Sequence, residues 1–246
     1  MTDTWILASA AFVAGALNAV AGGGSFLTLP ALVFTGVPPV MANATGTLAL
    51  LPGYLSGAAA YRGTIEAPRG LPMRAMLALV LLGGVLGAAL LLFTPAAGFD
   101  RLVPWLLLAA TLLFMAGPGL SRWLAGRASG HRTNAIGMLT ISVYGGYFNG
   151  GLGILLLAFF GLMGERNLHA MNGLKNLVSA LLTAVAVSIY VWGGLVEWRP
   201  ALLMMAGATL GGFAGARLAQ HLPVKLIRWL VVLMGFTMTA AFFNRL

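Results

Sequence analysis

Two groups of residues in this chain combine glycine-rich runs with polar side chains inside apolar sequence. The first is Asn18, then Gly22, Gly23, Gly24 and Ser25, then Asn43, Thr45 and Thr47. The second is Asn149, then Gly151 and Gly153, then Asn172, Lys175 and Asn176. Glycine permits a tight turn and leaves backbone N–H groups uncovered. A helix starting near Ser25 turns its amino end, with its partial positive charge, toward the first break, and one starting near Ile154 does the same at the second. Two such ends meeting within a membrane make a site for an anion. Ser25, Thr45 and Thr47 supply hydroxyl donors, and Asn18, Asn43, Asn149, Asn172 and Asn176 supply amide donors. One GGG run alone is most simply a close-packing device. Two breaks at matching places in two halves point instead to the binding site of a transporter.

Lys175 is the one charged residue well inside an apolar helix, about 9 Å past His169 at 1.5 Å per residue. An ionisable group at such depth marks a functional site by default, although a lysine can also snorkel its ammonium to the surface. Its counterpart in the first half is Gly46, between Thr45 and Thr47. We therefore expect Lys175 to face a substrate or a gate. Arg217 reads as a snorkelling helix end. Gly53/Gly57, Gly83/Gly87 and Gly207/Gly211/Gly215 have the small-xxx-small spacing of helix packing.

Catalysis has little to work with. The chain has no cysteine, and His131, His169 and His221 fall in expected loops without metal-ligand spacing. The carboxylates are Asp3, Glu66, Asp100, Glu165 and Glu197, all near expected helix ends. An intramembrane enzyme would need a nucleophile or an acid/base pair in the membrane. We expect no enzyme, no metal and no cofactor. A proton-driven carrier commonly keeps an acidic relay in the membrane, and none is visible. Passive flux, or a proton carried on the substrate itself, fits as well as antiport.

The elements that must position these residues are membrane helices. The chain is 60% hydrophobic and 8% charged, against about 25% charged in soluble domains. Mean hydropathy is +0.94. Residues 4–61, 75–99, 102–121, 133–164, 176–196, 200–216 and 229–244 contain no Asp, Glu, Lys or Arg. Runs of about 18 apolar residues or more are candidate spans, so this is an all-α polytopic integral membrane protein. The amino terminus has Asp3 and no basic region, and we expect its first apolar run to be retained. A net charge of +9 reflects basic loops on one membrane face. No basic run with interleaved aromatics suggests nucleic acid. The expected partners are a small anion and the lipid bilayer, with homo-oligomerisation left open.

Helices are predicted at 4–21, 25–36, 41–61, 71–93 and 102–120, then at 134–149, 152–163, 169–191, 199–220 and 224–243. Two homologous halves, 1–120 and 134–246, flank a linker over 121–133. Gly24 matches Gly153 and Asn43 matches Asn172 at 129 positions; Leu82-Gly83-Gly84 matches Leu210-Gly211-Gly212 at 128. A helix over 25–36 would be about 18 Å long, too short for a core of about 30 Å. If both Gly-broken helix pairs re-enter, loops 62–74, 121–133, 164–169 and 217–228 share one face and collect the basic residues. Each half then has a re-entrant pair plus three full transmembrane helices, and the halves are inverted repeats. The alternative is eight spans, as 4+4 parallel repeats.

At these residues the chain resembles the TauE/SafE sulfite-exporter family of membrane permeases. The resemblance lies in Leu17 to Ser25 with Pro30, Ala42 to Thr45 with Pro52-Gly53, Gly146-Tyr147-Phe148 through Gly153-Ile154-Leu155, Asn172 to Asn176, and Gly211-Gly212 with Gly215 to Leu218. Gly46 departs from the serine expected after the threonine, and Asn149 precedes Gly150 where a glycine or alanine is expected. The resemblance implies a multi-pass permease of a bacterial cytoplasmic (inner) membrane. Its substrates would be small sulfur-containing anions such as sulfite, sulfoacetate or other organosulfonates, moved by alternating access.

Overall fold

The structure is a computed structural model that describes residues 2–124, 130–218 and 224–244. The described residues form α-helices: α1 Thr2–Ala21, α2 Ser25–Phe34, α3 Pro39–Ala60, α4 Met73–Phe93, α5 Ala96–Leu124, α6 His131–Tyr147, α7 Leu152–Leu162, α8 Leu168–Trp192, α9 Trp198–Leu218 and α10 Val224–Phe243. A short 3-10 turn covers Arg62–Thr64. Met73–Phe93, Ala96–Leu113 and Leu168–Trp192 are long and apolar enough to cross a membrane. Large apolar side chains stand on the outside, with Trp5, Phe34, Phe93 and Trp192 each more than three-quarters exposed. Such a surface is stable only against lipid.

The extent of α5 differs from the sequence reading at both ends. α5 begins at Ala96 and carries Asp100 and Arg101 within it, where a loop was expected. Pro95 supplies the carbonyl that receives the N–H groups of Gly98 and Phe99, and so starts the helix early. α5 also runs on to Leu124, which narrows the expected 121–133 linker to the residues between Leu124 and His131. His131 and His169 accordingly sit in the first turns of α6 and α8 rather than in loops. Arg127 and His221 lie outside the described residues, as do the side chains of Arg122, Arg217, Lys225 and Arg228 and the surroundings of Gly215.

The helix directions follow from glycine contacts. α1 lies along α9, with Gly207 against Ala8 and Ala11, and Gly212 near Gly15. α6 lies along α4 in the same sense, with Gly83 on Ser142 and Gly87 on Gly146. A methyl group added to Gly83, Gly87, Gly207 or Gly211 would crowd the neighbouring backbone or Cβ, so the packing role expected for Gly83/Gly87 and Gly207/Gly211 holds. α2 folds back on α3, where Gly46 meets Thr28 and Leu32.

The loops at one end are tied together. The Arg69 N–H donates to Glu165 Oε1 at 3.2 Å, the Asn134 amide to Arg69 O at 3.4 Å, and the Thr64 hydroxyl to His169 O at 3.4 Å. Arg62, Arg69, Arg74, Arg132 and Arg166 therefore share this end. At the opposite end the Glu197 N–H donates to Thr45 Oγ1 at 3.0 Å, fixing the start of α9 to α3.

Candidate functional site

Both helix breaks turn on a glycine in the left-handed region, Gly22 at φ 78° and Gly151 at φ 73°. An L-residue adopts that conformation at a cost of about 1–2 kcal/mol, so glycine is the natural occupant. The unwound stretches meet. A methyl group on Gly22 would lie 3.0 Å from Gly153 Cα, and one on Gly153 would lie 3.0 Å from Gly22 Cα. The Ser25 hydroxyl donates across the junction to Asn149 O at 2.8 Å. Among the described hydrogen bonds, none is donated by the N–H of Gly23, Gly24, Gly150 or Gly153. Bare N–H groups at paired helix starts are what a negative charge requires.

Lys175 lies against this junction. Its Cδ would be 3.3 Å from a methyl group on Gly153, and the residue is 1% exposed. Among the described residues it has neither a hydrogen-bond nor an ion-pair partner. A buried ammonium without a counter-charge is strongly unfavourable. The site therefore brings together a buried lysine amine, two helix amino ends and, among the described residues, no protein anion.

The expected site residues separate into three groups. Gly22, Gly23, Gly24, Ser25, Asn149, Gly151, Gly153 and Lys175 gather at the junction. Asn18 and Asn176 face a cavity of about 370 Å³ between α1, α3, α8 and α9. The Asn18 Oδ1 and Asn149 Nδ2 are buried without partners, which is the signature of a place meant for water or solute. Asn43, Thr45, Thr47 and Asn172 are committed elsewhere. Asn43 donates to Tyr147 O at 3.0 Å, and Thr47 to Asn43 O at 2.7 Å. Thr45 receives the Glu197 N–H, and Asn172 donates to Leu168 O in its own helix at 2.9 Å. Short polar side chains in a dry helix satisfy themselves on nearby backbone.

The cavity also revises one packing assignment. A methyl group on Gly53 would touch nothing within 4 Å, and one on Gly57 would run into the Asn176 amide. Both glycines line the cavity and keep it open. Ala60 and Tyr61 border it as well, near the end of α3 that leads to Arg62. The cavity thus lies toward the arginine-rich end.

Sequence reading missed the tyrosines that hold the breaks. Tyr54, 1% exposed, brings its hydroxyl to Asn149 Oδ1 at 3.4 Å. Tyr144 donates to Gly150 O at 2.6 Å, and Tyr190 donates to Gly146 O. A tyrosine within an apolar helix must find a partner for its O–H; that was the available signal.

Broken helices meeting inside a polytopic helical bundle, with a buried unpaired cation beside them, are the architecture of a membrane transporter. The comparisons agree. The chain belongs to the family described as Sulfite exporter TauE/SafE, which matches residues 7–242. It is 35% identical over 245 residues to a protein of Haemophilus influenzae named "Probable membrane transporter protein", covering 96% of this chain and 92% of that one. It is 33% identical over 238 residues to "Probable membrane transporter protein ORF9" of a Sinorhizobium species, covering 93% and 88%. It is 29% identical over 237 residues to "Probable membrane transporter protein YfcA" of Escherichia coli K12, covering 96% and 87%. No solved structure matches. The chain is a multi-pass membrane transporter.

Proposed function

We propose that the protein is a permease for small sulfur-containing anions, sulfite or organosulfonates such as sulfoacetate, in a bacterial cytoplasmic membrane. The observation that carries this reading is Lys175: buried, unpaired and set against the two glycine breaks. An anion bound there completes the charge balance that the protein leaves open. The bare N–H groups around Gly22 and Gly153 take its oxygens, and no ring of carboxylates is present to select cations. The sulfur chemistry comes from the family's description and from the motifs it shares with this chain.

The two halves, divided between α5 and α6, act as inverted repeats, each with a re-entrant pair and three spans. Three features support this. α1 packs on α9 as α6 packs on α4, and α3 packs on α9 as α8 packs on α4. The positive-φ glycines recur in register, Gly22 with Gly151 and Gly36 with Gly164. The turns that follow α2 and α7 close alike, Val37 N–H to Leu32 O and Glu165 N–H to Phe160 O, both at 3.0 Å. Rocking of one half against the other then alternates access to the junction.

Flux in proteoliposomes tests the reading. The purified protein should carry sulfite or sulfoacetate, and Lys175→Ala should abolish that flux without unfolding the protein. Unchanged flux in Lys175→Ala removes Lys175 from the site, and no flux of any sulfur-containing anion removes the substrate class.

A further inference from the structure

Among the described residues, the place symmetric to the cavity is filled. If the halves are inverted repeats, as proposed above, a related space belongs between α6, α8, α4 and the start of α3. Its walls follow at 129 positions from those of the open cavity. Gly15 is replaced by Tyr144, Asn18 by Tyr147, Gly53 by Leu182, Gly57 by Ala186, and Tyr61 is matched by Tyr190. Small residues on one side become bulky ones on the other. The space is filled: a methyl group on Gly84 would lie 3.5 Å from Leu182 O, and the Tyr147 ring rests on Phe99 with centroids 5.8 Å apart.

Yet this filled region is not apolar. The hydroxyls of Ser142, Ser179, Thr183 and Tyr147 are buried there, and none has a partner. Ser142, Ser179 and Thr183 are each fully buried. A permanently dry helix contact is better built from apolar groups, because orphaned hydroxyls forfeit their hydration. Hydroxyls left dry in one state are explained by a second state that wets them. Ser179 corresponds to Leu50, which lines the open cavity, and Thr183 corresponds to Tyr54, which stands beside it.

We propose that the second half of the transport path lies between α4, α6 and α8, lined by Ser142, Ser179 and Thr183, and that Tyr147 and Tyr190 plug it in the present state. The plug is held by the Tyr190 hydrogen bond to Gly146 O and by the Tyr147–Phe99 contact. Gly146 meets Gly84 backbone to backbone, so no interlocked side chains oppose sliding of α6 on α4 at this point. The path opens on the face away from Arg62, Arg69 and Arg166, while the existing cavity serves the arginine-rich face.

The chain contains no cysteine, so single-cysteine variants of the full-length protein report cleanly. Ser56→Cys, Ser179→Cys and Thr183→Cys are exposed to an anionic, membrane-impermeant methanethiosulfonate in right-side-out and inside-out vesicles. Ser56→Cys should react from the arginine-rich face. Ser179→Cys and Thr183→Cys should react from the other face only, and adding Tyr190→Phe should speed labelling at Thr183→Cys by about five- to tenfold, as expected for loss of one hydrogen bond. Ser142→Cys replaces either variant that does not fold. The proposal is overturned if the inner cysteines stay unreactive from both faces while Ser56→Cys labels, or if they label only from the arginine-rich face. Labelling needs no transported anion, so this outcome and the substrate assignment fail independently.

Discussion

Replacing Gly22 with alanine tests the junction most sharply, because two separable costs meet there. The first is conformational: at φ 78° an alanine is strained by about 1–2 kcal/mol. The second is crowding: the new methyl group would lie 3.0 Å from Gly153 Cα, 3.2 Å from Gly153 C and 3.4 Å from Ile154 N. These are backbone atoms at a helix start, which cannot rotate away. Inserting a methyl group into a packed contact costs roughly a further 1–3 kcal/mol. Gly36 isolates the first cost, since it sits at φ 90° with nothing within 4 Å of an added methyl group. Gly36→Ala should lower the melting temperature of the purified protein by about 2–8 °C, and Gly22→Ala by about 4–20 °C, at about 2–4 °C per kcal/mol for a chain of this size. Flux of the anion should survive Gly36→Ala and fall steeply in Gly22→Ala, because the methyl group covers the N–H groups at the break. Combining Gly22→Ala with Gly153→Ala should cost less than the sum of the two, since both relieve the same contact by parting the same strands of backbone. Equal melting temperatures for Gly22→Ala and Gly36→Ala, with flux intact in both, would refute the close approach of the two breaks.

Three further outcomes follow from the geometry. Gly53→Leu should block flux while leaving the melting temperature unchanged or raised, because it fills open cavity space and replaces a poor helix former; a large drop in stability would mean the space is not open. Ser25→Ala should remove the bond to Asn149 O and cost about 1 kcal/mol, read as a fall of about 2–4 °C in melting temperature; no change would show that this link between halves contributes nothing. Thr45→Val should leave the Glu197 N–H without its acceptor and destabilise by about 1–3 kcal/mol, with anion affinity unchanged, whereas a selective loss of affinity would return Thr45 to the binding site.

The parts of this design that were legible in the sequence rest on backbone constraints. Glycine at 22–24, 151 and 153 announces an interrupted helix because few other residues tolerate the turn, and its recurrence is what suggests two halves. Lys175 is conspicuous because a charge within apolar sequence needs a reason. The hydrogen-bond partners were not legible, since they depend on which helix stands opposite. Asn43 and Asn172 occupy equal positions in the two proposed halves, yet one ties α3 to Tyr147 O and the other bonds its own helix. Gly53 carries the same spacing to Gly57 as Gly83 to Gly87, but an added methyl group would enter open space at Gly53 and meet a neighbouring helix at Gly83 and Gly87. Spacing reports that a neighbour can come close, not whether one does. Asp100 and Arg101 suggested a loop because charges end apolar runs; at the end of a bundle a helix can carry both.

The central claim is that a buried, unpaired lysine beside two helix breaks holds an anion, and ligand-induced stabilisation measures it directly. Purified protein is heated with sulfite, sulfate, thiosulfate, sulfoacetate and taurine in turn, and Lys175→Gln is treated in parallel. A bound anion at 100 times its Kd should stabilise the protein by about 2.7 kcal/mol. An ammonium–anion contact near 4 Å is worth about 4 kcal/mol at an effective dielectric constant of 20, so Lys175→Gln should weaken binding by roughly a thousandfold and erase the shift. Sulfite or an organosulfonate stabilising the parent but not Lys175→Gln is the predicted result. No stabilisation by any of these anions, or an equal shift in Lys175→Gln, would contradict it.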